Sequence, residues 1–421
     1  MLKKNLFMNK NLTSKICNEC QISGSKDLES VIFLGFHPPV NNYYEIGTKA
    51  CEQPSYPCEL FFCKQSKLLQ LGVTVDKEVL FPSSYPYTSS TTKILRENFA
   101  NLYEEVSKVI ALEEDDLIID IGSNDGNLLS NFVGKHRVLG VTPEDIGNLA
   151  IERGIPTIID YFQEEVKNII LKDHGLAKVI TATNVYAHID NPNLITKLIN
   201  ELLDNEGIFV SESHYLIPLL ETLQYDTIYH EHLRYYSLTS LKFLLEKNGL
   251  KPIKAQKIPT HGGSIRVYAS KIDNPISIDP SVDKILKEEE KYLNMERLHQ
   301  FRDDVVKSKL QLITILNQIK DSGGRIVGIS APSRASTLIN YVGLDADIID
   351  CILEIKGSYK IGKYAPGTRI PVLDESILYE QQPDYALLFS WHIADELISS
   401  LKNRGFKGKF IVPLPVPKIV S

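Results

Sequence analysis

The stretch IIDIGSNDGNLL (residues 118–129) decides the fold of this chain. Its apolar first half predicts a buried β-strand that ends in an acid, Asp120. Gly122 and Gly126 predict a turn whose backbone can approach a ligand closely, and NLLSNF (127–132) predicts the start of a helix. An acid at such a strand end can hold a ribose hydroxyl or an ammonium group. The alternative is an ordinary strand-to-helix turn in which the glycines serve only the backbone geometry.

Strand-like and helix-like segments alternate from residue 115 to about residue 270, after an amphipathic helix predicted at 94–110. A charged helical stretch at 280–322 then precedes a second alternating unit. The predicted strands and turns are RVLGV (137–141), AKVITATNV (177–185), GIFVSES (207–213), RIVGISAPSRAS (325–336), IIDCILE (348–354) and YALLFSW (385–391). This alternation predicts an α/β chain with parallel sheets that are covered by helices on both faces.

Length and charge limit the classes of protein to which the chain can belong. A chain of 421 residues is expected to form two or three domains. The net charge of −7 argues against a protein that binds nucleic acid or a membrane surface. The longest apolar runs have only strand length, and the N-terminus lacks the apolar core of a signal peptide. We therefore expect a cytoplasmic protein, monomeric or weakly dimeric.

Cysteines are concentrated at the N-terminus, where five of the six precede residue 64. In a cytosolic chain of this size, clustered cysteines favour a metal site over disulfides. Cys17 and Cys20 have C-x-x-C spacing, and CELFFCKQSKLLQLG (58–72) predicts a β-hairpin with Cys63 near its turn. Residues 1–80 are therefore predicted to be a small separate module.

A second stretch, YHEHLRYYS (229–237), concentrates groups that can transfer or orient protons. It holds two histidines, a glutamate, an arginine and three tyrosines. Either a reaction takes place here, or the stretch is a polar turn at the surface.

Several short motifs, in this order and spacing, resemble the C-methyltransferases that act on nucleotide-linked ketosugars. The D-x-G-x-x-x-G spacing from Asp120 also matches the first motif of class I S-adenosylmethionine (SAM) methyltransferases. The shared motifs are SYPYTSS (84–90), DIGSNDGNLL (120–129), TNVYAHIDN (183–191), YHEH (229–232), HGGSIRVY (261–268) and APGTRIPV (365–372).

The resemblance implies three parts and two cofactors. The first is an N-terminal zinc-module-like β domain at 1–80, and the second a class I SAM-methyltransferase domain with a doubly wound sheet at 81–275. The third, at 276–421, comprises a helical linker and a C-terminal Rossmann-like α/β domain that helps to hold a nucleotide-diphosphate keto-sugar. SAM and zinc are the implied cofactors.

The resemblance also implies a reaction in which the carbon beside a ketone loses a proton and the enolate attacks the methyl group of SAM. In this reading His232 is the base, because the pKa of an imidazole suits proton transfer near neutrality. Tyr229 bonds the ketone or enolate oxygen, Glu231 orients the base, and His261 steers the substrate.

The residues expected to bind SAM lie mainly at the ends of predicted strands. They are Tyr87, Asp120, Gly122, Asn124, Gly126, Thr142, Asn184 and His188. Thr142 stands where this fold usually has an acid that grips the ribose, with Glu144 and Asp145 two and three residues further on. A threonine lacks the two oxygens of a carboxylate, so the sequence predicts a weakened ribose contact.

The substrate and zinc sites are also assigned by resemblance. The expected substrate-binding residues are Tyr85, Arg266, Ser333, Arg334, Glu354 and Lys360, with Arg334 bonding a diphosphate. The expected zinc ligands are Cys17, Cys20, Cys63 and the position of Ser66, where the family has a cysteine. Cys58 or Cys51 could supply the fourth thiolate instead, although strand alternation separates Cys58 from Cys63.

Two other functions remain open at this stage. The same scaffold could perform only the proton transfer, as an epimerase, or it could be a binding protein that no longer methylates. Thr142 and Ser66 are the departures that motivate both alternatives.

Overall fold

The structure is a computed structural model that describes residues 13–81 and 93–421. No helix in those ranges is both long and apolar enough to cross a membrane.

The N-terminal module is built from short strands that are joined by turns. Its elements within residues 13–81 are β1 (Ser14–Ile16), β2 (Leu28–His37), β3 (Tyr44–Glu45), β4 (Tyr56–Cys63), β5 (Leu68–Leu71), β6 (Val73–Val75) and α1 (Lys77–Leu80). Alternate residues of β4 are buried, including Cys58, Leu60 and Phe62. β4 and β5 form the predicted hairpin, with Cys63 opposite Leu68.

The central unit is a sheet with helices on both faces. Its elements within residues 93–271 are α2 (Lys93–Val109), β7 (Leu117–Ile121), β8 (Arg137–Thr142), α3 (Gly147–Glu152), β9 (Thr157–Ile159), α4 (Glu164–Asp173), β10 (Ala177–Thr183), α5 (Pro192–Leu202), β11 (Leu203–His214), α6 (Leu216–Glu221), β12 (Arg234–Tyr235), α7 (Leu238–Lys247), β13 (Leu250–Ile258) and β14 (Ser264–Lys271). The predicted amphipathic helix is confirmed as α2, whose buried residues recur every three or four positions.

The order of strands in this sheet is β13-β14-β11-β10-β7-β8-β9, and β14 runs antiparallel to both of its neighbours. From β7 the chain passes through β8 to β9 on one side, and then returns to β10 and β11 on the other. The switch point therefore lies between β7 and β10, where ligands of doubly wound sheets bind. The expected class I sheet is confirmed. β12 is not part of this sheet and pairs with β5 of the N-terminal module.

The prediction that a helix begins within NLLSNF (127–132) is wrong. The chain forms turns and a short 3₁₀ helix at Leu129–Asn131 instead. Leu128, Leu129 and Phe132 are buried beneath it, so the apolar pattern reflects packing of a turn and not a regular helix.

The C-terminal unit begins with two helices, where the sequence predicted a single helical stretch at 280–322. Its elements within residues 280–420 are α8 (Pro280–Glu289), α9 (Met295–Asp321), β15 (Ile326–Ile329), α10 (Ser333–Val342), β16 (Ile352–Glu354), β17 (Lys363–Tyr364), β18 (Val372–Asp374), α11 (Ser376–Gln381), β19 (Tyr385–Leu388), α12 (Ala394–Asn403), β20 (Lys409–Val412) and β21 (Lys418–Val420).

This second sheet is also doubly wound, which confirms the Rossmann-like expectation. Its order is β18-β16-β15-β19-β20-β21, with the switch point between β15 and β19. β17 stands outside this sheet and pairs antiparallel with β3, where Tyr364 lies opposite Tyr44. The first and last parts of the chain are thereby joined directly.

Candidate active site

A cavity of about 1090 Å³ lies where the carboxyl ends of both sheets meet. The central sheet contributes the turns after β7, β8 and β10, and the C-terminal sheet contributes the turns after β15 and β19. The N-terminal module closes one side with β6 and α1. Two switch points therefore open into one space, which is large enough for two ligands to meet.

Asp120 and Gly122 form the wall of this cavity at the end of β7. The Asp120 carboxylate accepts a hydrogen bond from Thr181 Oγ1 at 2.7 Å, and burial raises the pKa of Asp120 to about 7. Gly122 has a φ of +76°, and a Cβ there would lie 2.4 Å from Val185 Cγ2. The glycine thus leaves bare backbone beside a buried acid, which suits a ligand that carries an ammonium group.

An acid, Glu144, lines the cavity two residues after the end of β8, whereas the residue at the strand end does not. Thr142 is fully buried and does not line the cavity, whereas Glu144 and Asp145 do. Thr142 Oγ1 donates a 2.7 Å hydrogen bond to Glu144 Oε2. The expectation that Thr142 itself contacts the cofactor is therefore corrected, because this hydroxyl orients an acid two residues further on.

The other expected cofactor residues fall into two groups. Asn124, Asn184 and His188 line the cavity, and both asparagines have a positive φ, which asparagine tolerates better than most residues. Gly126 does not line the cavity, and a Cβ there would come within 2.9 Å of the Ala150 side chain. Gly126 therefore permits close packing of the turn against α3, and this corrects its assignment to the cofactor site.

His232 is held in one tautomer by a backbone carbonyl. Its Nδ1 lies 2.9 Å from the Thr227 carbonyl oxygen, which can only accept, so Nδ1 carries the proton. In the neutral ring the lone pair then lies on Nε2, which accepts a hydrogen bond from the Tyr229 hydroxyl at 3.1 Å. Burial and the neighbouring His188 lower the pKa of His232 well below its usual value. The geometry therefore presents a neutral imidazole as a proton acceptor beside a phenol.

The sequence predicts that Glu231 orients the base, but the hydrogen bond to Nδ1 of this imidazole is made by the Thr227 carbonyl. Glu231 Oε1 instead accepts a hydrogen bond from Asn41 Nδ2 at 2.9 Å. The Glu231 backbone carbonyl accepts a hydrogen bond from His188 Nδ1 at 2.6 Å, and the rings of His188 and His232 are 5.1 Å apart. His188 is thereby fixed beside the base.

The opposite end of the cavity contains histidines that the sequence reasoning missed. His214, at the end of β11, and His392, after β19, line the cavity together with the predicted His261. Burial and the charge of Arg334 lower the pKa values of His214 and His392 to about 3. The position of His214 at a strand end was a usable signal, whereas no motif marks His392.

Arg334 lines the cavity but is already paired. Its Nε and Nη2 donate to the two carboxylate oxygens of Asp226 at 2.8 and 2.9 Å. Trp391 Nε1 donates to the same carboxylate at 2.7 Å. Because this face of the guanidinium is used within the protein, the prediction that Arg334 binds a diphosphate bidentately is corrected. Ser333, at the N-terminus of α10, does line the cavity.

Glu354 and Lys360 hold the turn before α10 and do not line the cavity. Glu354 Oε1 accepts a hydrogen bond from the Ala331 amide at 2.6 Å, and Lys360 Nζ donates to the Ala331 carbonyl. Their expected contact with the substrate is therefore replaced by a role in fixing this turn.

Arg266 also does not line the cavity, which corrects the prediction that it binds the substrate. It is fully buried, and its guanidinium donates to Glu212 at 2.9 Å and to Asn98 Oδ1 at 2.8 Å. These bonds tie β14 to β11 and α2. Tyr85 and Tyr87, the remaining predicted contacts, lie outside the described residues.

The predicted zinc ligands are only partly brought together. Cys20 Sγ lies 3.1 Å from Ser66 Oγ, and Cys63 Sγ lies 3.5 Å from Ser23 Oγ. Cys17 Sγ accepts a hydrogen bond from Gln21 Nε2 at 3.4 Å. Cys58 faces the Ile228 carbonyl.

These donors do not fit a four-ligand zinc site, since a hydroxyl stands where the fourth thiolate is needed. Within residues 13–81 and 93–421, no three His, Cys, Asp or Glu side chains converge as metal ligands.

Three family models match consecutive parts of the chain. Residues 20–81 match a "Putative zinc binding domain", residues 93–255 a "Methyltransferase domain" and residues 259–415 a "C-methyltransferase C-terminal domain". The methyl donor of this class of enzyme is SAM, and the acids and bare backbone at the β7 end of the cavity suit it.

Comparison with individual proteins gives one full-length relative. The C-methyltransferase NovU of Streptomyces niveus is 31% identical over 411 residues, which cover 96% of this chain and 97% of that protein. Magnesium protoporphyrin IX methyltransferase from Synechocystis is 12% identical, covering 42% of this chain and 79% of its own, with a TM-score of 0.32. The CcbJ methyltransferase of Streptomyces caelestis is also 12% identical, covering 41% and 89%, with a TM-score of 0.33. By its full-length similarity to NovU, the chain belongs to the C-methyltransferase family.

Proposed function

We propose that this C-methyltransferase deprotonates a nucleotide-linked keto-deoxysugar beside its ketone and methylates the resulting enolate carbon. The observation that carries this proposal is the state of His232. The Thr227 carbonyl fixes the proton on Nδ1, so that Nε2 is a free base next to the Tyr229 hydroxyl. An imidazole in this state removes protons, which methyl transfer to carbon requires and methyl transfer to an existing lone pair does not.

The methyl donor is assigned to the end of the cavity formed by the central sheet. Asp120 would meet the ammonium group of SAM, Glu144 the ribose hydroxyls, and the Gly122 backbone would allow close approach. SAM supplies an electrophilic methyl group there. Asn124, Asn184 and His188 line the same region and supply further polar contacts.

The nucleotide sugar is assigned to the end formed by the C-terminal sheet. Ser333 opens α10, a ten-residue helix whose free amides and dipole favour a diphosphate. The Ser330 and Ser390 hydroxyls are 2.7 Å apart across the switch point of this sheet. The sugar would then extend toward His232, with His261 and His214 along its path.

The proton step follows from these positions. The C–H bond beside the ketone breaks, its proton moves to His232 Nε2, and its electron pair moves toward the ketone oxygen as the enolate forms. The Tyr229 hydroxyl then donates its hydrogen bond to that oxygen instead of to Nε2, which becomes protonated. SAM, when bound, would supply the methyl group to the enolate carbon, so that one C–C bond would form as the C–S bond breaks.

Deuterium exchange tests the proposal directly. The full chain is incubated in D₂O without SAM, with a panel of nucleotide-diphosphate 4-keto-6-deoxyhexoses that differ in the base. Wild type should exchange the proton beside the ketone of at least one sugar, and His232→Ala should slow this exchange and turnover by about 10²–10⁴-fold.

His230→Gln is the matched control, because His230 bonds the Pro57 carbonyl and lies in the same segment. It should exchange nearly as fast as wild type. Unchanged exchange in His232→Ala would contradict the proposal. Exchange that persists with SAM but yields no methylated sugar would favour the epimerase-like alternative.

A further inference from the structure

We propose that His392, positioned by the Arg334 guanidinium, is a specificity-determining residue that donates a hydrogen bond to a hydroxyl group of the sugar. The inference rests on the proposed function, because it assigns a contact to the nucleotide sugar of that reaction. It also gives the buried pair of Arg334 and Asp226 a part in substrate selection, in place of the diphosphate contact that the sequence predicts.

Arg334 fixes the tautomer of His392. Its Nη1 lies 2.9 Å from His392 Nδ1. A guanidinium can only donate, so Nδ1 accepts, and the proton of the neutral ring lies on Nε2. Burial and the positive charge of Arg334 lower the pKa of His392 to about 3, so the ring is neutral near pH 7. His392 thereby presents an uncharged N–H donor at Nε2.

The guanidinium that sets this tautomer is itself fixed. Its Nε and Nη2 donate to the Asp226 carboxylate at 2.8 and 2.9 Å. It also lies 5.1 Å from the centre of the ring of Trp391, which directly precedes His392 in the chain. Because a planar guanidinium held at two of its nitrogens cannot rotate, the direction of Nη1 is fixed as well.

The donor at Nε2 is available to a ligand. His392 lines the cavity, and its side chain is exposed. Within residues 13–81 and 93–421, Arg334 is the one hydrogen-bond partner of this ring, and it bonds Nδ1. A site that holds a fixed donor discriminates against a ligand that lacks the matching acceptor.

His214 supplies a matching acceptor. Gln224 Nε2 donates to the Gly262 carbonyl at 2.7 Å, which leaves Gln224 Oε1 to accept from His214 Nε2 at 3.1 Å. The lone pair of the neutral His214 ring therefore lies on Nδ1. Arg334 Nη2 donates to the same amide oxygen at 3.3 Å, so one guanidinium helps to orient both imidazoles.

This pair of imidazoles suits a hydroxyl better than it suits the other groups of a nucleotide sugar. The two rings are near enough for the charge of His214 to act on His392. A hydroxyl both accepts and donates a hydrogen bond, whereas a ketone only accepts. A diphosphate favours cationic donors, and the charge of Arg334 is already paired with Asp226.

Binding to the full chain tests this assignment by calorimetry. The probes are a nucleotide-diphosphate 4-keto-6-deoxyhexose that wild type exchanges in D₂O, the corresponding nucleoside diphosphate, and analogues of the sugar that each lack one hydroxyl. His392→Leu removes the donor, and His392→Gln keeps an N–H near the position of Nε2. His299→Leu is the matched control, because His299 lies on α9 and does not line the cavity.

His392→Leu should weaken binding of the nucleotide sugar by about 3- to 10-fold, the range typical of one neutral hydrogen bond, and should leave binding of the nucleoside diphosphate unchanged. The analogue that lacks the recognised hydroxyl should bind wild type and His392→Leu equally. His392→Gln should recover most of the affinity, and His299→Leu should match wild type. Binding of S-adenosylhomocysteine and the thermal unfolding temperature are recorded for each variant, so that misfolding is recognised.

Nitrogen NMR of the wild-type chain with ¹⁵N-labelled histidine tests the same contact without loss of a side chain. The His392 signals, assigned by their absence from His392→Gln, should show a protonated Nε2 and an unprotonated Nδ1. The Nε2 signal should move when the nucleotide sugar is added and should not move with the nucleoside diphosphate.

The outcomes separate the inference from the function on which it rests. If His392→Leu weakens the nucleoside diphosphate as much as the nucleotide sugar, His392 contacts the nucleotide and the inference is overturned. Unchanged sugar binding by His392→Leu, or an Nε2 signal that does not respond to the sugar, also overturns it. In each case deuterium exchange by wild type leaves the proposed function standing. If wild type exchanges no sugar at all, the proposed function fails and this inference fails with it.

Discussion

Arg334 and Asp226 form a two-point ion pair that joins the C-terminal unit to the central unit, with N–O distances of 2.8 and 2.9 Å. Both side chains are buried, at 8% and 1% exposure. The Arg334 guanidinium also lies 5.1 Å above the Trp391 ring. A pair buried in this way contributes little net stability when intact, but the loss of one partner leaves the other charge without compensation.

Asp226→Asn should therefore destabilise the protein by about 3–5 kcal/mol. Denaturant unfolding of the purified variant measures this loss. The control is Asp350→Asn, which breaks the exposed pair with Arg325 and should cost about 0–1 kcal/mol. Equal effects of the two substitutions would show that the buried pair has no special role in joining the units.

The proposed contact between Glu144 and the ribose leads to a prediction that differs from the one based on the sequence. Glu144→Gln should weaken binding of S-adenosylhomocysteine, because a charge-assisted hydrogen bond is lost, at a cost of about 1.5–3 kcal/mol. Thr142→Asp should also weaken it, because a buried carboxylate would face Glu144 in place of its hydroxyl donor. Calorimetry on both variants, with the exposed Asp173→Asn as control, decides the point. Tighter binding by Thr142→Asp would restore the original interpretation.

The raised pKa of Asp120 leads to a prediction of how cofactor binding depends on pH. Its pKa is raised to about 7 by burial, so below that pH the free protein holds Asp120 largely protonated. A cationic ammonium group favours the ionised form, and affinity should therefore fall as pH falls below 7, approaching ten-fold per pH unit. Titration of S-adenosylhomocysteine from pH 5 to 8.5 measures this slope. In Asp120→Asn the slope should vanish, and a slope that persists would point to another group.

The N-terminal module predicts weak metal binding. Burial alone would raise the pKa of Cys63, but hydrogen bonds from Ser66 and Ser23 lower it. Serine hydroxyls are therefore already hydrogen-bonded to the sulfur that a metal would need. Purified protein should contain clearly less than one zinc per chain, and Ser66→Cys should raise the content, because it adds a thiolate beside Cys20 and Cys63.

Elemental analysis after dialysis measures zinc, and Ser25→Cys in the same module is the control. A wild-type protein that retains one zinc per chain against a chelator would contradict this prediction.

The alternation of apolar strands with helices was sufficient to predict both doubly wound sheets, because buried parallel strands leave a clear apolar signature. The hairpin around Cys63 and the amphipathic α2 followed from simple periodicity. Asp120 and Gly122 were found because a strand end followed by glycines is a local pattern.

Contacts between distant segments could not be predicted in this way. Arg334 carries a charge that suits a diphosphate, and only the folded chain shows that Asp226 has already bound it. The partner of Thr142 is two residues away, yet the sequence does not show which way Glu144 turns. Arg266 sits in a recognisable motif, but its three-dimensional neighbours Glu212 and Asn98 make it structural.

The pairing of β3 with β17, and of Asn41 with Tyr359, has a consequence for the order in which the cavity is completed during synthesis. Synthesis proceeds at roughly 5–20 residues per second, so the 318 residues between Asn41 and Tyr359 take roughly 15–65 s to add. During that interval the ribosome carries a chain in which the sheets around Asp120 and His232 can form, but the loop that carries Asn41 has no C-terminal partner. The cavity is therefore completed only near the end of translation, when β17 can pair with β3 and His392 can join the cavity wall.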